Sequence, residues 1–210
     1  MIEAWNRLWD RVEPARIERM SQSKRRIMDV LGRYLTPGMR VLDAGCGSGW
    51  FTKTFCDMGM QTTALDNSPS AVRLAQLLSS GRAECLRDDL LDPQLPKRLT
   101  ERFDLIMTDG LFEHFSAIEQ RRIMDNLRAL CAPGGHIATF VPNLLSPWQL
   151  IRPFMMPGIQ EKPFLLPQLI ALNHGMQVLE RGGLNVLPLR LSPEFAGPAF
   201  GMILYTVAKA

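Results

Sequence analysis

The sequence predicts an α/β domain: a doubly wound sheet of seven strands, mostly parallel, with an antiparallel last strand and helices on both faces. Three observations carry that prediction. Five short apolar segments, MRVLDA (39–44), MQTTALD (60–66), AECLR (83–87), FDLIMTD (103–109) and HIATFV (136–141), alternate with helical segments. Such alternation builds a parallel sheet. The apolar runs are continuous, as expected of strands covered on both faces. Finally, LNVLPLRL (184–191) and GMILYTVA (201–208) are joined only by Ser192 to Phe200. A parallel crossover needs a dozen residues or more, so these two strands are expected to be antiparallel neighbours.

The elements follow in order. Trp5, Leu8, Trp9 and Val12 recur at helical spacing within residues 4–19, in an amphipathic helix broken near Pro14. A second helix runs from about Ser21 to Tyr34, with Ile27, Val30, Leu31 and Tyr34 on one stripe, and Thr36-Pro37-Gly38 ends it. Trp50 to Met58 reads as a helix, and Ser68 caps another that reaches Ser79. Residues 117–131 form a helix with Ile118, Ile123, Leu127 and Leu130 inward, and Pro133-Gly134-Gly135 turns into the fifth strand. Six of the 15 prolines then fall between Pro142 and Pro167, among Leu144, Leu145, Trp148, Phe154 and Met155. A long irregular insertion of this kind commonly serves as a lid or binding loop. A last helix is expected from Leu166 to Arg181.

Length and composition bound the answer. With 210 residues the chain is expected to be one domain: a helical cap over 1–35, a core over 36–141, a lid over 142–167 and a closing helix and strand pair over 168–210. Hydrophobic residues at 46% and charged residues at 21% exclude wholesale disorder. A net charge of +3 is too mild to indicate a nucleic-acid partner. The excess is local, because residues 1–40 hold nine Lys/Arg against five Asp/Glu. The four cysteines include no CxxC pair, so neither a disulfide framework nor a zinc site is expected. The first residues, MIEAWNRLWDRVEP, lack an apolar signal core, and Ala129 to Ile151, the longest uncharged stretch, is broken by proline and glycine. A cytoplasmic protein without a transmembrane segment is expected, with peripheral membrane contact left open.

The strongest local signal is Val41-Leu42-Asp43-Ala44-Gly45-Cys46-Gly47-Ser48-Gly49, three glycines that follow a strand and open a helix. Glycine suits a backbone at positive φ or one that a ligand approaches closely. The spacing is GxGxG, and Trp50 stands where a dinucleotide-binding loop has its third glycine. Asp43 would repel a pyrophosphate but pair with an ammonium group. Asp66 closes the second strand, where an acid can accept ribose hydroxyls, and Asp88 and Asp89 follow the third. All lie at carboxyl ends of parallel strands, where such sheets bind ligands.

These motifs resemble those of class I S-adenosylmethionine-dependent methyltransferases. VLDAGCGSG, ALDNS, LRDDLLD, FDLIMTDGLFEHF and LRALCAPGGHIATFVPN match that family's successive motifs over roughly residues 35–143. The resemblance implies a Rossmann-like fold, S-adenosylmethionine as cofactor and S-adenosylhomocysteine as product. It further implies that Asp43 holds the cofactor's amino group, directly or through water. Gly45, Cys46, Gly47 and Gly49 would admit its methionine part and ribose, and Asp66, with Asn67, would bind the ribose diol. Asp88 or Asp89 would face adenine beside Leu90; the family's usual Gly-Asp favours Asp89. Asp109 and Gly110 would contact the methionyl end.

Glu113 and His114 fall near where that family places the methyl group. His has a pKa suited to deprotonating a hydroxyl acceptor, although His114 could equally orient a loop. His136 and His174 read as structural. The chain lacks an Asn-Pro-Pro-Tyr motif after the fourth strand, which points to a small-molecule acceptor, and no metal is implied. Trp5, Trp9, Leu145, Trp148, Phe154 and Met155 would roof an apolar pocket, which suits a lipophilic acceptor. Two alternatives stand beside this reading: a non-catalytic cofactor-binding partner protein, and a nucleic-acid methyltransferase using Lys24-Arg25-Arg26. The oligomeric state is left open.

Overall fold

A computed structural model describes residues 2–12, 17, 22–150, 161–185 and 200–210. Seven strands form one sheet in the order β3-β2-β1-β4-β5-β7-β6. The elements in chain order are α1 (Ile2–Asp10), α2 (Gln22–Leu31), β1 (Arg40–Ala44), α3 (Trp50–Asp57), β2 (Gln61–Asp66), α4 (Pro69–Leu78) and β3 (Glu84–Arg87). There follow α5 (Leu95–Arg98), β4 (Phe103–Asp109), a 3-10 turn (Phe112–His114), α6 (Ala117–Leu130), β5 (Cys131–Pro142), α7 (Leu166–Leu172), β6 (Gln177–Leu184) and β7 (Ile203–Lys209).

β1 pairs in parallel with both β2 and β4, so the strand order reverses beside β1. Ligands bind at such a switch point, outside the carboxyl ends of the strands. β7 is antiparallel to both β5 and β6, as expected of the last strands, although the link between β6 and β7 is longer than the one the sequence suggests.

The two faces of the sheet follow from strand alternation. Leu42, Ile106 and Ile137 pack against Ile123, Met124, Leu127 and Leu130 of α6 and Leu169 of α7. Val41, Leu105, Met107 and Phe140 pack on the other side against Ile27, Val30 and Leu31 of α2 and Phe51 and Phe55 of α3. Ser68 caps α4 by accepting the Ala71 N–H at 3.3 Å, and Ser116 and Glu119 form a reciprocal capping box on α6.

Four expectations are corrected. The helix expected to reach Arg181 stops at Leu172, because Asn173 donates to the Leu169 carbonyl and Gly175 takes φ +74. The sixth strand is therefore Gln177–Leu184, one segment earlier than 184–191; residues 186–191 lie outside those described. Ile118 does not face inward: it is 77% exposed. It lies five residues before Ile123, about 140° around the helix from that stripe. β5 also starts earlier than expected, at Cys131, through a register shift opposite Phe103 and Leu105.

Candidate functional site

The β1 backbone leaves the sheet through Gly45, Gly47 and Gly49, all at positive φ, before entering α3. Two of these positions admit only glycine for a spatial reason as well. A Cβ on Gly49 would lie 2.4 Å from the backbone of Ala75 in α4, and one on Gly47 would lie 2.9 Å from the Trp9 indole. The loop is thus pressed between α4 and α1. Asp66, ending β2, fixes its height: one carboxylate oxygen accepts the Gly47 N–H at 3.0 Å and the other the Ser68 N–H at 2.8 Å. Burial raises the Asp66 pKa against those two bonds.

Asp43 is buried at the end of β1 and accepts the Thr52 hydroxyl proton at 2.6 Å. Burial, with Asp109 and Asp66 nearby, pushes its carboxyl up to about 7. Asp109 ends β4, and burial pushes it up to about 6, against the pull of Lys24. Lys24 on α2 stands over the Trp50 ring, 4.9 Å from its centroid. Burial lowers its pKa, while Asp109 and Asp43 hold its charge. Two desolvated acids and one desolvated ammonium therefore meet where the strands end.

These groups wall a cavity of about 740 Å³. Asp43, Gly45, Cys46, Gly47, Asp66, Asn67, Asp88, Asp89, Leu90, Asp109, Gly110, Glu113 and His114 all line it, and Gly49 alone of the expected site residues does not. Asp88 pairs with Arg98 at 2.6 Å, and Asp89 accepts the Leu91 N–H at 2.9 Å. Glu113 is buried on the 3-10 turn, with His114 Nε2 3.9 Å from its Oε1. Trp5 and Trp9 roof the cavity, their rings stacked at 5.8 Å, and Trp5 meets His114 edge-on at 4.9 Å. α1 is held there by Asp10, which accepts from Ser70 at 2.6 Å and from Arg73 at 3.0 Å.

The rest of the expected roof differs. Leu145 and Trp148 do not line the cavity, and Phe154 and Met155 lie outside the described residues. His136 packs against Tyr34 at 5.1 Å, and His174 sits beyond α7 with Asp125 at 3.9 Å, so neither reaches the cavity. The sequence reading missed Lys24, hidden in a basic run whose other members give no hint of burial. It also missed Glu161, which lines the cavity from within the proline-rich insertion. Glu113, His114 and Glu161 bring donor atoms within 4.8 Å of one another.

Residues 16–183 match the family model for a methyltransferase domain, and the chain belongs to that family. Its fold is that of a class I S-adenosylmethionine-dependent methyltransferase. Among curated proteins, it is 29% identical over 135 residues to the ubiquinone biosynthesis O-methyltransferase of Nitrobacter winogradskyi, covering 63% of this chain and 51% of that protein. It is 28% identical over 172 residues to the protein of that name in Xylella fastidiosa, covering 73% and 67%. The chain thus spans about half the length of the first relative and two thirds of the second. Among solved structures, the N-methyltransferase NodS of Bradyrhizobium japonicum, in complex with S-adenosyl-L-homocysteine, superposes with a TM-score of 0.70 at 18% identity, covering 99% of this chain and 97% of that one. A methyltransferase from Anabaena variabilis gives 0.71 at 18% identity, covering 99% and 94%. At these identities the likeness to the solved structures is one of fold. No described helix is long and apolar enough to cross a membrane.

Proposed function

We propose that this chain transfers the methyl group of S-adenosylmethionine to a small-molecule acceptor by in-line displacement, releasing S-adenosylhomocysteine. The observation that carries the reading is the meeting of Asp43, Asp109 and Lys24 at the strand ends. The free α-amino and α-carboxylate groups of a methionyl moiety complement that set, sign for sign.

In this reading Asp43 and Asp109 take the amino group, and Lys24 takes the carboxylate. Asp66 accepts the ribose hydroxyls through lone pairs left after Gly47 and Ser68, with Asn67 beside it. Asp88 is engaged by Arg98, which leaves Asp89, next to buried Leu90, to face the adenine amine. Gly45, Cys46, Gly47 and Gly110 offer backbone at close approach. A cavity of about 740 Å³ has room for a nucleoside and a small acceptor.

The bound cofactor supplies an electrophilic methyl group on a sulfonium. The chain's part is to align the acceptor, exclude water under Trp5 and Trp9, and take a proton at Glu113 or His114. The relatives named ubiquinone biosynthesis O-methyltransferase agree with a small acceptor. The nucleic-acid alternative loses ground because Lys24 of the Lys24-Arg25-Arg26 run turns into the cavity.

Calorimetric titration tests the reading, using S-adenosylhomocysteine and 5′-methylthioadenosine, which lacks the amino-acid part. The unaltered protein is expected to bind S-adenosylhomocysteine. Asp66→Ala should weaken both ligands at least about tenfold, or about 1.4 kcal/mol. Lys24→Ala should weaken S-adenosylhomocysteine alone. Unchanged affinities in both variants would overturn the assignment.

A further inference from the structure

We infer that Thr52 is a positioning residue for cofactor binding: it holds the Asp43 carboxylate ionised and oriented to receive the cofactor's amino group. The inference rests on the methyl-transfer reading above, in which Asp43 takes that group. Thr52 is the third residue of α3 and fully buried, and its hydroxyl donates to Asp43 Oδ2 at 2.6 Å. Its backbone N–H donates to the same carboxylate. The first turn of a helix leaves such N–H groups in need of an acceptor, and Gly49, at the start of α3, has no side chain to supply one. Asp43 supplies it from β1. Asp43 lines the cavity and Thr52 does not, so Thr52 acts on the cofactor only through Asp43.

A carboxylate this deeply buried is costly to keep charged. The groups that face it are Asp109 at the end of β4, Asp66 at the end of β2, Lys24 on α2, and the Cys46 and Cys85 thiols. The two acids oppose its ionisation, and Lys24 favours it. In the reading above, however, Lys24 is shared with the cofactor's own carboxylate.

Thr52 adds support that carries no charge of its own. Its N–H can only donate, and a hydroxyl bond of 2.6 Å has the length of one made to an ionised oxygen. Donors of this kind favour the charged form of the acid. Two of them from one residue also fix the plane of the carboxylate. Thr52 thereby sets the pH at which Asp43 becomes ready for an ammonium group.

Calorimetric titration with S-adenosylhomocysteine across the neutral pH range tests this. Thr52→Val keeps the buried shape and removes the hydroxyl. It should raise the pH at which affinity levels off by about one unit, the tenfold change in ionisation that one hydrogen bond to a charged group sustains. The ionised fraction of Asp43 at pH 7 then falls from about a half to about a tenth, so the variant should bind about fivefold more weakly there and less than about twofold more weakly at about pH 8.5. Thr52→Ser should restore the profile, and Thr52→Ala, which also lacks the hydroxyl, should repeat the shift if the valine variant does not fold. Affinity for 5′-methylthioadenosine, which has no amino group to meet Asp43, should not change. With Asp43→Asn already in place, Thr52→Val should no longer move the profile. An equal loss at every pH, a loss that serine does not repair, or a shift that persists beside Asp43→Asn would overturn the inference. Failure of the unaltered protein to bind S-adenosylhomocysteine would instead overturn the methyl-transfer reading, and unchanged affinity in Asp43→Asn would overturn the place given to Asp43 within it.

Discussion

Trp9 lies directly against Gly47, so that a Cβ on that glycine would come within 2.9 Å of the indole. One contact thus joins the α1 roof to the loop that follows β1. Gly47 also takes φ +49, a conformation that costs a residue with a side chain about 1–2 kcal/mol. Gly47→Val therefore meets a clash and backbone strain together. The expected result is a lower melting temperature and at least about tenfold weaker S-adenosylhomocysteine binding, a loss of about 1.4 kcal/mol. Trp9→Ala in the same chain should recover part of the binding but not the strain. Thermal melts and calorimetry on the single and double variants check both.

The two acids at the strand ends make cofactor binding depend on pH. Burial pushes Asp43 up to about 7 and Asp109 up to about 6, both from an ordinary value of 3.8. Between those limits the folded, ligand-free protein holds protons that the unfolded chain has released. The stabilising contribution of these protonated acids is complete below about 4 and is lost as pH rises through the folded values. Ligand-free stability should accordingly decline between about pH 4 and 7, as far as these two groups govern it. A bound ammonium favours the charged carboxylates, so cofactor binding should release protons and strengthen as pH rises from 5 to 7, then level off. Titrations in buffers of different ionisation enthalpy would count the protons, and Asp43→Asn should reduce the count. Affinity that is flat across this range would contradict the pairing.

The cofactor half was legible because its signals are local. A strand, three glycines and a helix follow one another from β1 into α3, and Asp43, Asp66 and Asp109 lie at the ends of strands visible in their own apolar runs. β6 was not legible. Gln177–Leu184 carries Leu, Glu and Arg, good helix formers, and its strand state is imposed by pairing with β7 and by the Asn173–Gly175 stop. Lys24 and Glu161 were not legible either. Their places in the cavity depend on how α2 and the segment before α7 cross the strand ends, a relation between residues far apart in sequence.

The same distance hides the anchor of α2. Glu180, on the edge strand β6, accepts from Arg33, from the Tyr34 hydroxyl at 2.9 Å and from the Tyr205 hydroxyl at 2.7 Å. Burial and this carboxylate push the Tyr205 hydroxyl up to about 12, so it stays a donor at neutral pH. Gly182 makes the approach possible, since a Cβ there would lie 2.8 Å from the Tyr205 ring. Arg33 and Tyr34 directly follow α2, the helix that carries Lys24 at its other end. Glu180→Leu removes the acceptor and leaves two half-buried hydroxyls without it, a loss of about 1–3 kcal/mol. Urea denaturation should show a lower midpoint at an unchanged slope. S-adenosylhomocysteine affinity should change less than threefold, because Phe51, Phe55, Val30 and Leu31 still seat α2 on the sheet. A large loss of affinity at unchanged stability would instead mean that the Glu180 cluster sets the position of Lys24.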